Sequence, residues 1–483
     1  MLRVAHIRSG RFTKASILQT HVRKLSTKGA SRSTPAFNKA VAYIASAGVI
    51  ATPSLWWFAP TSGDDVPSLE SPPTQHLVFE PGPSKDEVTR LISQDAYSFP
   101  VRDVAGVNRY DGAQLASNSV CEDRFNHGKF PSPWDDGNQW LAWAVFDGHS
   151  GWQTAELLKN QLLPFVRYSL SHMSSASGKE VISNEMVQRA IMNGFVDLDN
   201  SIVKTALATS QSTGPLEDKV KKLAPAHAGS CALLSMYDSI TSTLHVACTG
   251  DSRAVLGRKG PDGKWEAIPL SVDQTGHNKD EIARLNKEHP GEEGISKDGR
   301  VLGIMVSRAF GDGRWKWPLE LQQDLKRRFY GLAPLTPKYD VRTPPYLTAE
   351  PVVTSTKIDS SQPSFLIMAT DGMWDTVSSQ QAVGLVEAWL ESRTAGKTTS
   401  TPDPAYEPFD FGQFWKGVSW KFVKSRTTTV DDNVAVHLVR NSLGGNHHEL
   451  VAGRLAFSSP FSRHLRDDIT VQVVFFNLPD VGK

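Results

Sequence analysis

Acidic residues recur in this sequence at the points where apolar runs end. Five short segments carry them, each at a predicted strand end or turn: Glu122-Asp123-Arg124, Asp147-Gly148-His149-Ser150-Gly151, Gly250-Asp251-Ser252-Arg253, Asp371-Gly372-Met373-Trp374-Asp375 and Arg466-Asp467-Asp468. A single Asp-Gly pair is usually only a turn. The combination is more specific, because buried strands that end at one edge of a sheet bring carboxylates together, and their mutual repulsion needs compensation.

Hard divalent cations are the natural compensation for such a group, because Mg²⁺ and Mn²⁺ prefer carboxylate, carbonyl and water oxygens. Gly148 leaves room for a backbone carbonyl to approach an ion closely. Zinc is not supported, because Cys121, Cys231 and Cys248 share no metal-ligand spacing and no His cluster accompanies them. A water between two cations about 3.5–4 Å apart becomes a nucleophile near neutral pH. These residues therefore predict hydrolysis of phosphate esters.

The segments that must position the carboxylates are predicted to be short strands and amphipathic helices. Residues 140 to 146 and 365 to 370 are apolar runs that end directly at Asp147 and Asp371. Residues 230 to 270 predict an antiparallel meander of short strands, and the final strand is predicted over 467 to 476. Helical spacing occurs at 152–172, 186–205, 279–288 and 379–392. Grouped strands and paired helices predict an α+β fold and not a parallel doubly wound sheet.

The ordered motifs resemble those of the PPM family, the protein phosphatase 2C type, over about residues 95 to 478. Besides the acidic segments, the resemblance includes Val306-Ser-Arg-Ala-Phe-Gly-Asp312 and the continuation of the last motif to Val471. It implies a four-layer αββα sandwich of two antiparallel sheets flanked by helix pairs. Three further segments are similar to the mitochondrial pyruvate dehydrogenase phosphatases: Leu285–Pro290, Phe310–Trp317 and Pro344–Pro351.

The resemblance implies a metal centre with two Mn²⁺ or Mg²⁺ ions. Asp147 would bridge the two ions, and the carbonyl of Gly148 would contact one of them. Asp371 and Asp467 would hold the other ion. A water shared by the ions would then attack phosphorus in line with the departing oxygen.

The remaining acidic residues and one histidine receive supporting roles by the same resemblance. Glu122 and Asp123 match positions that hold metal-bound waters. Asp251 and Asp375 match acids that bind a weaker third ion in some relatives, with a purely structural role as the alternative. His149 would protonate the departing Ser or Thr oxygen, and the alternative is that it only caps a turn.

Position 118 departs from the family pattern. Family members commonly carry an Arg four residues before the Glu-Asp pair to bind the phosphate, whereas this chain has Asn118. An Asn side chain donates hydrogen bonds but carries no charge, so phosphate affinity should depend more on the metal ions. The pyruvate dehydrogenase phosphatase-like branch shares this Asn, which supports the assignment to that branch.

The N-terminal segment has a different composition from the rest. Residues 1 to 63 contain nine Lys or Arg and no Asp or Glu. Residues 1–40 are predicted to be a mitochondrial presequence, with a disordered basic tail as the alternative. Residues 41–59 are apolar, with two tryptophans at an interfacial position, so an inner-membrane span and a cleaved or merely sticky segment both stay open. Residues 60–89 form a Pro-rich linker before a domain at 90–478.

The location of the enzyme depends on that apolar segment. A span would place the catalytic domain in the intermembrane space, and its absence would place the domain in the matrix. Two stretches at about 318–347 and 395–428 are predicted to be surface loops, either for substrate docking or as tolerated insertions.

Composition limits the functions that remain. The chain has 483 residues and a formal net charge of +1, which excludes a basic nucleic-acid-binding protein, and a hydrophobic fraction of 39% excludes global disorder. The predicted function is a mitochondrial, metal-dependent serine/threonine phosphatase for a phosphoprotein, with the E1α subunit of pyruvate dehydrogenase as candidate substrate. The alternatives are an inactive binding or scaffold protein of the same fold and an enzyme for small phosphate esters.

Overall fold

The computed structural model describes residues 83–134, 136–173, 182–395, 409–416 and 420–478. The helices of these ranges are α1 Lys85–Ile92, α2 Gln153–Ser171, α3 Asn184–Gln211, α4 Leu216–His227, α5 Lys279–Glu288, α6 Gly313–Lys316, α7 Leu319–Phe329, α8 Asp371–Trp374, α9 Ser379–Thr394, α10 Gly412–Trp415, α11 Val434–Leu443 and α12 His448–Ala456, with 3₁₀ helices at Lys424–Arg426 and Phe461–His464.

The strands of the described ranges follow the same chain order. They are β1 Tyr97–Pro100, β2 Val107–Leu115, β3 Arg124–Pro131, β4 Gln139–Phe146, β5 Gly148–His149, β6 Gly229–Ser230, β7 Ala232–Asp238, β8 Thr243–Thr249, β9 Arg253–Lys259, β10 Trp265–Pro269, β11 Ser296–Lys297, β12 Arg300–Val301, β13 Phe310–Gly311, β14 Val352–Lys357, β15 Ser364–Ala369 and β16 Ile469–Phe476.

Two large antiparallel sheets contain most of these strands. The six-stranded sheet has the order β1-β2-β16-β15-β9-β10, and the five-stranded sheet has the order β14-β8-β7-β4-β3. In the six-stranded sheet, Ile367 of β15 pairs with Val473 on one side and Val255 on the other. A small sheet, β13-β6-β5, lies beside the ends of β4 and β7 along the chain and includes His149.

The two large sheets pack face to face. Trp143 of β4, Val246 of β8, Met368 of β15 and Phe476 of β16 belong to one buried apolar cluster. Because successive side chains of a strand point to opposite faces, every second residue of β4 enters this layer and its neighbours point to the opposite face. The continuous apolar run of β4 is therefore explained by burial on both sides.

Helices cover the outer face of each sheet. On the five-stranded sheet, Leu158 and Leu162 of α2 and Phe195 of α3 pack against alternate residues of β4 and β7. On the six-stranded sheet, Trp389 of α9 and Leu438 of α11 pack against β15 and β16. The order of layers is helix, sheet, sheet, helix, which confirms the αββα sandwich.

The chain changes sheets within the predicted meander. β7 and β8 form a hairpin of the five-stranded sheet, whereas β9 and β10 form a hairpin of the six-stranded sheet. The individual strands agree with the sequence prediction, but a continuous meander over 230 to 270 is wrong. Local patterns specify a hairpin, whereas the sheet that it joins depends on long-range pairing. The turn Gly250-Asp251-Ser252 makes the crossing between the sheets.

Two other boundaries differ from the sequence prediction. Residues 319–329 of the predicted loop 318–347 form helix α7, because Leu321, Leu325 and Phe329 at helical spacing pack into the core beside α2 and α3. The last strand begins at Ile469 and not at Asp467. Both aspartates of the Arg466-Asp467-Asp468 motif therefore precede the strand.

The predicted presequence, the apolar segment 41–59 and most of the Pro-rich linker lie outside the described residues. Helix α1 includes the predicted domain boundary near residue 90, and its Val88 and Ile92 side chains are completely buried. Within the described ranges, no helix has both the length and the apolar character that a membrane crossing requires.

Candidate metal centre

Three carboxylates from different parts of the chain form a carboxylate cluster, defined by Asp147, Asp251 and Asp371. One carboxylate oxygen of each lies within 4.8 Å of the others. Asp147 follows β4, Asp251 lies in the turn between β8 and β9, and Asp371 begins α8 directly after β15. The cluster therefore forms where strand ends of both large sheets meet.

The carboxylate cluster is electrostatically unfavourable without a cation. Burial raises the pKa of Asp147 well above its ordinary value, and the neighbouring Asp371 and Asp123 raise it further. Oδ1 of Asp147 is buried and accepts no hydrogen bond. Burying such a group costs free energy unless a proton or a cation compensates it. An all-oxygen donor set with these properties fits Mg²⁺ or Mn²⁺.

Two glycines permit the close packing around the carboxylate cluster. A Cβ atom on Gly148 would lie 2.3 Å from the backbone oxygen of Glu122, and one on Gly372 would lie 2.1 Å from the backbone oxygen of Asp468. A larger residue at either position would push a neighbouring acidic loop away. The Asp-Gly sequences are therefore required by close backbone approach and not only by turn formation.

Asp123 lies beside the carboxylate cluster and is only 1% exposed. Its Oδ2 accepts hydrogen bonds from the hydroxyls of Thr370 at 2.9 Å and Thr470 at 2.8 Å, while its buried Oδ1 accepts none. Burial raises the pKa of Asp123 well above its ordinary value, and Asp468 adds to this. The position is compatible with the predicted water-holding role, which stays a prediction.

Asp468 organises the loop that contains Asn118 and Glu122. Its carboxylate accepts hydrogen bonds from the backbone N–H groups of Ser117, Asn118 and Glu122, the last two at 2.8 Å. The sequence alone predicted no role for Asp468.

Asn118 and Glu122 are held by this same loop. The side-chain amide of Asn118 donates to Oε2 of Glu122 at 3.1 Å and to Oδ2 of Asp468 at 3.0 Å. Oε1 of Glu122 accepts from the backbone N–H of Gly151 at 2.6 Å. Both amide hydrogens of Asn118 are engaged within the protein, and a contact of Asn118 with phosphate stays a prediction.

Asp467 is oriented differently from the carboxylate cluster. It forms an ion pair with Arg463, and its Oδ1 accepts a hydrogen bond from the backbone N–H of Asp468 at 2.7 Å. Among the described residues, Asp467 is not a member of the carboxylate cluster. Its role as a metal ligand stays a prediction.

Asp375 and Asp251 are the two acids predicted to bind a third ion. Asp375 follows Asp371 by one helical turn, and Asp251 comes from the turn between β8 and β9. The backbone N–H of Asp375 donates to the carbonyl of Asp371 at 2.7 Å, which fixes the first turn of α8. The Sγ atom of Cys231 lies 3.4 Å from Oδ1 of Asp251. Asp251 belongs to the carboxylate cluster by the distances between ligand oxygens, whereas the third-ion role of both residues stays a prediction.

His149 forms a buried pair with Asp312, whose role the sequence argument did not identify. Nε2 of His149 lies 2.6 Å from Oδ2 of Asp312, and each residue is 1% exposed. Burial lowers the pKa of His149, and the nearby Asp312 opposes that effect only in part. Burial raises the pKa of Asp312, but His149 and Lys316 outweigh it, and the pKa lies below its ordinary value. The pair therefore places the imidazole against a buried carboxylate, which orients the ring and would stabilise its protonated form.

The Asp312 loop is fixed by a second buried pair. Asp199 of α3 accepts from the backbone N–H of Gly311 at 2.9 Å and from Nζ of Lys316 at 2.6 Å. Lys316 also donates to the carbonyl of Ala309 at 2.8 Å. These contacts orient Asp312, and through it His149, whose buried Nδ1 has no hydrogen-bond partner among the described residues. Protonated His149 would present an N–H at that atom.

Comparison with known proteins agrees with this geometry. Residues 106–404 match the protein phosphatase 2C family. A protein phosphatase 2C homolog of Schizosaccharomyces pombe is 42% identical over 77% of this chain and 81% of its own length.

Two mitochondrial relatives carry more specific names. The mitochondrial [pyruvate dehydrogenase [acetyl-transferring]]-phosphatase 1 of Saccharomyces cerevisiae is 35% identical over 77% of this chain and 69% of its own length. The mitochondrial phosphatase 2 of the same name from Homo sapiens is 31% identical over 87% of this chain and 86% of its own length. The chain therefore belongs to the protein phosphatase 2C family and is a protein serine/threonine phosphatase.

Proposed function

We propose that this phosphatase acts in mitochondria on phosphoserine or phosphothreonine of a protein substrate, and that the carboxylate cluster binds the metal ions required for activity. The single observation that supports the site most strongly is the convergence of Asp147, Asp251 and Asp371, whose ligand oxygens lie within 4.8 Å of one another. Buried acids at this density gain free energy from divalent cations.

The proposed centre holds two Mn²⁺ or Mg²⁺ ions. Asp147 would be shared by both ions, the carbonyl of Gly148 would contact one, and Asp371 and Asp467 would hold the other. Asp467 would then have to release Arg463, with which it pairs in the structure. When bound, the ions supply positive charge at the phosphoryl oxygens and lower the pKa of a water nucleophile. A weaker third ion at Asp251 and Asp375 is part of the proposal.

The protein's own residues then handle the protons and the orientation. Glu122 and Asp123 accept hydrogen bonds from waters of the centre, and Thr370 and Thr470 hold Asp123 in position. His149 gives a proton from Nδ1 to the departing Ser or Thr oxygen, while Asp312 stabilises the imidazolium and fixes its orientation.

The substrate and the compartment rest on composition and on similarity. The acid-free, basic segment of residues 1 to 63 supports mitochondrial import, and two relatives are mitochondrial pyruvate dehydrogenase phosphatases. We therefore propose the E1α subunit of pyruvate dehydrogenase as substrate and the matrix as its location. The apolar segment 41–59 as a membrane anchor is the alternative, because it would separate the enzyme from a matrix substrate.

The activity is tested by phosphate release from a phosphothreonine peptide, from phosphorylated E1α and from p-nitrophenyl phosphate, with Mn²⁺ and after chelation. We expect metal-dependent release from both protein-derived substrates and a much lower kcat/KM for the small ester. No metal-dependent release would favour the inactive scaffold, and preference for the small ester would favour the other alternative. Protease protection of the C-terminal domain in mitoplasts supports the matrix, whereas digestion requires another substrate.

A further inference from the structure

Arg463 occupies a distinctive position at the edge of the candidate metal centre. It lies in the 3₁₀ helix Phe461–His464, and its guanidinium pairs with the carboxylate of Asp467, four residues later. The Arg463 side chain is 24% exposed and that of Asp467 is 13% exposed. The pair therefore lies at the border between the buried acids and solvent.

The turn that carries Arg463 is fixed to the loop of Asn118 and Glu122. Ser462 is completely buried, and its hydroxyl donates to the carbonyl of Ser117 at 2.5 Å. The charge of Arg463 also reaches Glu122, where burial raises the pKa of the carboxyl and Arg463 opposes the increase. Arg463 thus pairs with Asp467 and is close enough to Glu122 to oppose the rise of its pKa, on a backbone that is held in place.

The other guanidinium groups near the centre are used by the fold. Arg466 donates to the carbonyls of Ala116 and Phe457, each at 3.2 Å. Arg124 donates to Glu156 at 2.5 Å and to the carbonyl of Asp123 at 2.8 Å, and Arg253 forms two 2.6 Å bonds to Asp273.

The partner of Arg463 differs from those of the other arginines because it is a proposed metal ligand. These other arginines make contacts that hold loops together, whereas Asp467 is a carboxylate that the proposed function assigns to a metal ion. If a cation binds Asp467, the guanidinium of Arg463 would lose this ion pair. The guanidinium would then lie between solvent and the centre. A guanidinium binds phosphate through two parallel hydrogen bonds, which an ammonium cannot reproduce.

We propose that Arg463 is a phosphate-binding residue of this enzyme, which pairs with Asp467 in the metal-free protein and with the phosphate dianion of the substrate when cations occupy the centre. This inference rests on the proposed function. It explains how a site whose Asn118 amide is engaged with Glu122 and Asp468 still offers a positive side chain to phosphate.

The test compares Arg463→Met and Arg463→Lys with the wild type. The control is Arg90→Met, which removes an exposed arginine that pairs with Glu87 on α1. We expect Arg463→Met to raise KM for a phosphothreonine peptide and Ki for inorganic phosphate about tenfold, with a smaller change in kcat. Arg463→Lys should recover only part of this loss. Calorimetry should show equal or tighter Mg²⁺ binding, because Asp467 no longer has a competing cation.

Three results would overturn the proposal. Unchanged KM and Ki in Arg463→Met would show that Arg463 does not contact phosphate. Weaker Mg²⁺ binding in parallel with the loss of activity would show that Arg463 only positions Asp467. Full recovery by Arg463→Lys would overturn the contact through two parallel hydrogen bonds, because an ammonium cannot reproduce it. Failure of the proposed function is distinguishable, because the wild type itself would then release no phosphate and bind inorganic phosphate without any dependence on Mg²⁺.

Discussion

Two groups of buried carboxylates in this protein have opposite electrostatic surroundings. Glu281 of α5 accepts hydrogen bonds from Arg308 at 2.7 Å, Arg284 at 2.9 Å and the hydroxyl of Ser307 at 2.7 Å. Burial alone would raise the pKa of Glu281, but the two arginines lower it to about 2. At Asp147 burial and neighbouring acids act together, and the pKa is raised well above its ordinary value.

The difference in surroundings indicates that Glu281 serves the stability of the fold and that Asp147 serves function. A buried acid that pairs with arginine side chains contributes to stability, and these neighbours already satisfy its hydrogen bonds. A buried acid surrounded by other acids destabilises the metal-free fold and persists because a ligand compensates it. The same comparison predicts that substitutions at the two sites change activity and stability in different ways.

The largest expected effect is on turnover in Asp147→Asn. Loss of the proposed bridging carboxylate would unbalance both proposed ions, and we expect kcat to fall by about 10³-fold or more, because several kcal/mol of electrostatic stabilisation would depend on them. In the presence of a chelator the variant should unfold at the same temperature as the wild type or higher, since one repelling charge is removed. Full activity in Asp147→Asn would contradict the bridging role.

Glu281→Gln should act on stability instead. The change leaves Arg308 buried with a weaker partner, and breaking a buried pair costs about 3–5 kcal/mol of unfolding free energy. Urea denaturation measures this loss. Glu288→Gln is the matched control, because Glu288 pairs with the same Arg284 but is 47% exposed, and it should cost at most about 1 kcal/mol. Equal losses of unfolding free energy in the two variants would show that the buried pairs of Glu281 contribute no more than the exposed pair of Glu288.

The stability contributed by Glu281 should depend on pH. The pKa of Glu281 in the folded protein is about 2 against an ordinary value of 4.5. Ionised Glu281 therefore stabilises the fold above about pH 4.5, and this contribution is lost as the pH falls toward about 2. The stability difference between wild type and Glu281→Gln should narrow over that interval. A difference that is constant with pH would indicate a packing defect.

Metal ions should stabilise the wild type through the carboxylate cluster. Mg²⁺ or Mn²⁺ at a hundred times its Kd should raise the free energy of unfolding by about 2.7 kcal/mol. The shift is measured by thermal unfolding with and without a chelator. Glu281→Gln should show the same increment, whereas Asp147→Asn should show little of it. An equal increment in Asp147→Asn would place the ions elsewhere.

The smallest expected effect is that of Asp375→Ala. Asp375 is half-buried, and its contact with the carbonyl of Asp371 is made by its backbone N–H, which the substitution retains. We expect kcat to fall by less than about tenfold, because only a weaker third ion would be affected. Steady-state kinetics with increasing Mn²⁺ measures this change. A loss as large as that of Asp147→Asn would assign Asp375 to the principal ions.

Much of the architecture was predictable from sequence because it depends on local pattern. Helix α5 has the predicted bounds 279–288, and β4 at 139–146 begins one residue before the predicted apolar run 140–146. The assignment of β9 and β10 to a different sheet from β7 and β8 was not predictable in this way. Residues from distant parts of the chain decide it, through pairings such as that of β9 with β15.

The candidate site shows the same division. The sequence indicated Asp147, Asp251 and Asp371, because each carboxylate follows an apolar strand or interrupts a hairpin region. It did not indicate that Asp312 pairs with His149, although the two residues are 2.6 Å apart in space. They are separated by 163 residues, so only the tertiary fold brings them together.

By itself the sequence determined the kind of chemistry: oxygen ligands at strand ends, a histidine beside them and an acid-free N-terminal segment that accounts for the near-neutral total charge. Residues 64 to 483 contain 43 basic and 51 acidic side chains, so the folded part is acidic. Only the tertiary structure decided that Glu281 lies among arginines and that Asp147 lies among other acids. Compensation depends on a few ångströms of separation and on burial, and neither can be read from spacing along the chain.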